Sequence, residues 1–170
     1  AELLTRAGYS TGYGGKWHLD GQGKPQWAPK RKFGFQDNRY MFNRGHWKQL
    51  EDTPEGPRVK ARQNGKPSYS VAGADKNSFA TDFLTSRAME FITSNKDKPF
   101  CYMLSIPDPH GPDTVRAPYD TMFDDKVVEK PRTFDKDPRQ SPSWAKPDPK
   151  CHYKMAQYHG MMKCIDDNVG

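Results

Sequence analysis

Residues 100–112 read FCYMLSIPDPHGP, and this stretch decides the class of fold. Its first seven residues form a nearly unbroken apolar run, which is typical of a strand buried in a parallel sheet. The next six residues include three prolines, which cannot continue the strand because proline lacks the backbone donor that a ladder needs. The stretch therefore predicts a buried strand that ends in a loop carrying His110.

The residues before this stretch supply a helix and an earlier strand. Residues 78–94 predict a helix with Ser78 as its N-cap, because large apolar side chains recur there at steps of three and four. These side chains belong to Phe79, Phe83, Leu84, Ala88, Phe91 and Ile92. A short helix, residues 1–7, ends at Gly8, and residues 9–13 predict a strand. Two strands joined through a helix form a crossover unit, so we expect an α/β fold with a parallel sheet.

A second polar loop follows the first predicted strand, in the stretch GYSTGYGGKWHLDG, residues 8–21. Lys16 and His18 are two residues apart, so in an extended chain their side chains point the same way. Ligands of open α/β sheets bind beyond the carboxyl ends of the strands. We therefore expect Lys16, His18 and His110 to meet at one edge of the sheet. The alternative is that the glycines only form a tight turn and that Trp17 packs the core.

The charge distribution favours an anionic ligand at the same place. The net charge is +6, but residues 1–70 carry 13 Lys and Arg against 6 acids, whereas residues 71–170 carry 14 against 15. The positive field therefore belongs to the part of the chain that contains Lys16 and His18. A solvated basic surface is the alternative that charge alone leaves open.

Two more polar residues are candidates for substrate contact. Arg44 and His46 lie in the aromatic stretch MFNRGHW, residues 41–47, which follows the loop that carries Lys16 and His18. They either contact a substrate or are simply exposed, and we favour substrate contact.

The spacing of potential metal ligands does not predict a metal site. His152 and His159 are seven residues apart, whereas two histidines that bind one metal from a single helix are typically four apart. The acidic run IDDN, residues 165–168, points in several directions on a helix, which favours a solvated face. The three cysteines follow no C-x-x-C spacing, so neither a disulfide framework nor a zinc knuckle is indicated.

The chain reads as the central portion of one domain, residues 1–170, truncated at both ends. A helix is already running at residue 1, and a final helical face extends to the end of the chain. That predicted face consists of Met155, Tyr158, Met162, Ile165 and Val169. Long loops are predicted over residues 21–73 and 129–150, and no apolar run approaches the ~20 residues of a membrane span.

Several blocks of this sequence resemble one known family. The stretch GYSTGYGGKWH, residues 8–18, matches the pattern G-Y-x-T-x-x-x-G-K-x-H of the sulfatases, a branch of the alkaline-phosphatase-like superfamily. KPFCYMLSIPDPHGP, APYDTMFDD and YHGMMKCIDDNVG are also similar to sulfatase blocks and occur in the expected order. The resemblance implies a three-layer αβα sandwich with a mostly parallel central sheet and a hydrolase of sulfate esters.

The resemblance also implies roles for individual residues. Lys16 corresponds to the lysine that contacts sulfate, His18 to the histidine that hydrogen-bonds the formylglycine nucleophile, and His110 to the histidine that protonates the leaving oxygen. The nucleophile arises from a Cys or Ser in C/S-x-P-x-R, and none of Cys101, Cys151 and Cys164 has that context. The calcium ligands of the family also fall outside this segment. We therefore expect formylglycine and calcium only in the full-length protein, and no activity from the segment alone.

The resemblance suggests a partner and a location as well. It implies a sulfated small molecule or a sulfated carbohydrate as substrate, no nucleic acid, and a periplasmic or secreted protein. Two alternatives stay open. One is a phosphomonoester, phosphodiester or phosphonate hydrolase of the same superfamily, and the other is a non-catalytic module that binds an anionic polymer.

Overall fold

The computed structural model describes residues 1–20, 25–126, 129, 137–140, 142 and 155–170. Three helices are present in this part of the chain, together with seven strands and a short 3-10 turn at Pro138–Gln140. The helices are α1 (Glu2–Arg6), α2 (Ala80–Asn95) and α3 (Ala156–Val169). The strands are β1 (Ser10–Lys16), β2 (Met41–Phe42), β3 (Leu50–Thr53), β4 (Gly56–Val59), β5 (Arg62–Gln63), β6 (Lys66–Pro67) and β7 (Phe100–Ser105).

The main sheet is parallel and has the strand order β2, β1, β7. Strand β1 pairs with β7 from Ser10 opposite Phe100 to Gly15 opposite Ser105. Helix α2 joins these neighbouring strands along the chain and packs against both of them. This is the predicted crossover unit, and the prediction of an α/β fold with a parallel sheet is confirmed.

The glycines of β1 lie inside the strand and not in a turn. Tyr102 of β7 lies against them, so that a Cβ atom on Gly12 would be 2.7 Å from Cδ2 of Tyr102. Gly15 has a φ of +105°, and a Cβ atom there would collide with the carbonyl oxygen of Ser105. The tight-turn alternative is therefore wrong, because these glycines allow two strands and an aromatic ring to pack closely.

The second half of that alternative is correct, since Trp17 is part of an aromatic cluster. Its ring centroid lies 5.2 Å from that of Tyr13 and 4.5 Å from that of Phe33, and Phe35 completes the group at 6.4 Å. This cluster packs against Met41, which is fully buried on β2. Packing of Trp17 thus anchors the segment that carries Lys16 and His18.

The predicted cap of α2 is wrong. The N-cap residue is Phe79, and the helix begins at Ala80. The hydroxyl of Ser78 donates to Oδ1 of Asp75 at 2.7 Å, and the backbone amide of Ser78 donates to the same oxygen at 2.9 Å. Ser78 therefore closes a turn ahead of the helix, because Asp75 competes for its hydroxyl and amide.

The first predicted long loop, residues 21–73, contains regular structure. Besides β2, it holds two antiparallel hairpins, β3 with β4 and β5 with β6. Leu50 and Val59 of the first hairpin are 0% and 1% exposed and pack with Trp47 and Leu84 in one core cluster. The prediction missed these strands because two to four residues are too few to show an alternating pattern. Most of the second predicted loop, residues 129–150, lies outside the described residues.

Helix α3 buries a different face from the predicted one. The buried residues are Gly160, Met161 and Cys164, whereas Met162 is 44% exposed and Val169 is 70% exposed. This face is buried because Gly160, which has no side chain, lets the helix approach the backbone of Tyr119 closely. Within the described part of the chain, no helix has both the length and the apolar character that crossing a bilayer requires.

Candidate active site

Lys16 is the last residue of β1, and His18 follows it alongside the end of β2. The amide of Trp17 donates to the carbonyl of Phe42 at 2.7 Å, and the amide of His18 donates to the carbonyl of Asn43 at 2.7 Å. Through these bonds, residues 17 and 18 continue in the direction of β1 beyond the end of the strand. His18 has a φ of +58° and an exposed side chain. The predicted strand, residues 9–13, therefore ends too early, since β1 continues to Lys16, and His18 lies just beyond its end.

Lys16 and His46 are in direct contact. The Lys16 ammonium lies 2.6 Å from Nε2 of His46. Because an ammonium group can only donate, Nε2 accepts this bond, and the neutral imidazole then carries its proton on Nδ1. Burial, together with the positive charges of Lys16 and His110, lowers the pKa of His46 to about 4. His46 is therefore neutral at physiological pH.

His46 and His110 are stacked. Their ring centroids are 3.5 Å apart, and their planes differ by 12°. His110 lies on the exposed loop after β7, where its Nδ1 atom is 3.1 Å from the carbonyl oxygen of Gly111 and donates to it. The loops after β1, β2 and β7 thus meet at the carboxyl ends of the strands.

The remaining two predicted site residues lie at the rim of this cluster. The charge of Lys16 lowers the pKa of His18, with smaller contributions from burial, Arg44 and His110. Arg44 is exposed, and its backbone carbonyl accepts a bond from the Trp47 indole at 2.9 Å. The structure thus joins Lys16, His46 and His110 by contact, while His18 and Arg44 belong to the cluster through electrostatics.

An ion pair that the sequence did not predict supports the cluster. The Lys48 ammonium lies 2.7 Å from Oδ1 of Asp108, and the two side chains are 0% and 2% exposed. Burial raises the pKa of Asp108, and the positive charge of Lys48 offsets this only in part. The available sequence signal was a lysine directly after an aromatic stretch, and a lysine by itself indicates a surface position.

Residues once considered for metal binding have other partners. Asp166 and Asp167 form ion pairs with Lys163, and Asp167 also accepts a bond from the Tyr119 hydroxyl. Asn168 donates to Oδ1 of Asp82 at 3.2 Å. Among the described residues, no group of three or more His, Cys, Asp or Glu side chains is arranged to hold a metal ion. Cys151 and His152 lie outside those residues.

Comparison with known proteins gives consistent matches. The family model named Sulfatase matches residues 1–170. A curated relative, the ulvan-active sulfatase of Formosa agariphila, is 29% identical over 114 residues, which are 66% of this chain and 20% of that protein. The chain thus spans about a fifth of the length of this relative.

Two crystal structures share the fold at low sequence identity. The first is yidJ from Bacteroides fragilis, named as a sulfatase candidate, which matches with a TM-score of 0.63 and 22% identity over 99% of this chain and 37% of its own. The second is Ps i-CgsB, with a TM-score of 0.52 and 22% identity over 99% of this chain and 34% of its own.

Proposed function

This chain belongs to the sulfatase family and has its alkaline-phosphatase-like fold, and from that premise we propose a role for the site. The full-length protein hydrolyses a sulfate ester, and residues 1–170 supply one cationic side of the sulfate pocket. The family match supports the reaction class. The convergence of Lys16, His46 and His110 beyond the carboxyl ends of β1 and β7 supports the location.

The first role is charge stabilisation by Lys16. Hydrolysis of a sulfate ester develops negative charge on the sulfate oxygens and on the leaving oxygen, and fixed cations stabilise that charge. Lys16 lies at the end of a buried strand, and its ammonium is held by His46. A cation that is fixed before the substrate arrives needs no reorganisation during the reaction.

The second role is proton transfer by the two exposed histidines. His110 bonds through Nδ1 to the Gly111 carbonyl, which leaves Nε2 to face a ligand and to protonate the leaving oxygen. The charge of Lys16 lowers the pKa of His18, which favours a neutral imidazole that is suited to accept a proton or a hydrogen bond. Arg44, exposed at the rim, contacts the part of the substrate outside the sulfate group, and His46 contacts it beside Lys16.

The nucleophile and the metal of the family do not fit the residues at hand. None of the three cysteines has the C-x-P-x-R context, and the described residues offer no calcium site. We place formylglycine and calcium outside residues 1–170, and the roles above involve only this chain's own side chains. A sulfated carbohydrate is the proposed substrate class, since the curated relative is named for activity on ulvan. A periplasmic or secreted location is part of the same proposal.

Substrate choice by the full-length protein tests this function. Rates of hydrolysis are measured for an aryl sulfate, for the aryl phosphate with the same leaving group, and for desulfation of a sulfated polysaccharide. We expect turnover of sulfate esters and slower turnover of the phosphate. Preference for the phosphate would assign the site to a phosphohydrolase. Salt-sensitive binding of the polymer without any turnover would assign it to a binding module.

A further inference from the structure

A buried ion pair lies beside the two stacked histidines, and each of its residues is two positions from one of the histidines along the chain. The pair consists of Lys48 and Asp108, whose charged atoms are 2.7 Å apart. Lys48 follows His46 by two residues, and Asp108 precedes His110 by two residues. The two segments are 60 residues apart along the chain. One ion pair and one ring stack therefore join the same two segments side by side.

Helices α2 and α3 hold this pair from outside the two segments. The Thr81 hydroxyl, in the first turn of α2, donates to Oδ2 of Asp108 at 3.3 Å. The Lys48 ammonium also lies 3.1 Å from the sulfur of Met161 on α3. The amide of Ala80 donates to the carbonyl of Lys48 at 3.0 Å. The position of each charge is therefore set by the helices as well as by its partner.

Stability alone does not explain a buried pair of this kind. Lys and Asp are almost never fully buried, because removing both charges from water costs about as much as their attraction returns. Apolar side chains of similar volume would fill the same space at equal or lower cost. A charge-assisted hydrogen bond differs from apolar packing in fixing one distance and one direction between the groups that it joins.

We propose that Lys48 and Asp108 are positioning residues of the sulfate pocket, which fix the segment of His46 against the loop of His110. Through the contact of His46 with Lys16, the pair aims the Lys16 ammonium and the His110 imidazole at one bound ester. This inference rests on the proposed function. Its chemical basis is the steep dependence of rate on geometry, since a displacement of about 1 Å can cost about a hundredfold in rate.

The first test removes both charges from the full-length protein in the double variant Lys48→Met with Asp108→Asn. No lone charge is left in the interior, so the variant is expected to fold with a melting temperature near that of the wild type. We expect kcat for an aryl sulfate to fall about a hundredfold while KM changes little. A role in stability alone predicts the opposite pattern, with normal kcat.

A matched control removes a second shielded ion pair that flanks neither histidine. The Arg116 guanidinium lies 2.6 Å from Oδ1 of Asp82, and the two side chains are 12% and 11% exposed. The double variant Arg116→Met with Asp82→Asn likewise leaves no lone charge, so it is expected to fold with a melting temperature near that of the wild type and to leave kcat unchanged.

A second variant keeps both charges and changes only the geometry. Asp108→Glu lengthens the acidic side chain by one methylene, so the ion pair is retained while the His110 loop moves relative to His46. We expect reduced kcat and a change in the mutual ring-current shifts of the His46 and His110 protons in NMR spectra. These shifts are also expected to change in the Lys48→Met/Asp108→Asn variant and to stay unchanged in the control.

The outcomes separate this inference from the proposed function. Normal kcat in either folded Lys48 or Asp108 variant, or unchanged ring-current shifts, would overturn the inference. Failure of both variants to fold would make the pair a stability element and would overturn it as well. A wild-type protein with no activity on sulfate esters would overturn the proposed function, while the ring-current shifts would still report on the positioning of the histidines.

Discussion

The Lys16 ammonium lies 2.6 Å from Nε2 of His46, so a neutral imidazole directly holds a cation at the end of β1. The same imidazole stacks on His110 at 3.5 Å. His46 thus connects Lys16 at the end of β1 to His110 on the loop after β7. The geometry of the candidate pocket depends on this one ring.

The pH dependence of stability should report the neutral state of His46. Its pKa in the folded protein is about 4, against an ordinary value of 6.5, because burial and nearby cations disfavour the imidazolium. The unfolded state therefore binds more protons between these values, and stability falls as the pH is lowered from 6.5 towards 4. We expect His46→Gln to weaken this dependence. Urea unfolding from pH 7 to pH 4 measures it, and equal slopes for both proteins would contradict the assignment.

Removal of His110 should sharply reduce turnover and leave the fold intact. The side chain is exposed and its ring stack with His46 is worth about 0.5–1.5 kcal/mol at most, so His110→Ala should unfold at nearly the wild-type temperature. Loss of a proton donor should lower kcat by about 10²–10⁴-fold. Steady-state kinetics and thermal unfolding of the full-length protein measure the two effects. His159→Ala, which removes a histidine packed against Phe123, is the control and should keep normal kcat.

Close packing over β1 should make Gly14 intolerant of a side chain. A Cβ atom at this position would collide with the hydroxyl of Tyr102 on β7. Overpacking of this kind costs about 1–3 kcal/mol, which urea unfolding of Gly14→Ala can measure. Tyr102→Phe removes the hydroxyl, so the cost of Gly14→Ala should be smaller in that background. Equal costs in the two backgrounds would show that collision with the Tyr102 hydroxyl is not what destabilises Gly14→Ala.

The sequence predicted the parts of the fold that a long pattern encodes. The apolar run at residues 100–106 and the helical spacing over residues 78–94 predicted β7 and α2 almost to their ends. The predicted crossover also indicates that His110 and Lys16 lie at one edge of the sheet. The hairpins β3 with β4 and β5 with β6 were missed because short strands carry no readable period.

Buried polar contacts between distant segments were beyond sequence reasoning. The contact of Lys48 with Asp108 joins residues 60 apart, and neither residue type suggests burial. His46 was predicted as a candidate for substrate contact, but its bond to Lys16 depends on how β2 runs beside β1. The face of α3 was mistaken because Gly160 and Cys164 pack through their small size and not through hydrophobic spacing.

The charge of Lys16 is the feature on which the proposed sulfate pocket depends. In the full-length protein, kcat/KM for a sulfate ester is compared between the wild type, Lys16→Gln and the control Lys66→Gln, whose lysine is exposed on β6. We predict that Lys16→Gln loses about 10²–10³-fold, the effect of removing one fixed group that stabilises transition-state charge, and that the control is unchanged. Wild-type kcat/KM in a folded Lys16→Gln variant would contradict the assignment of this site to sulfate hydrolysis.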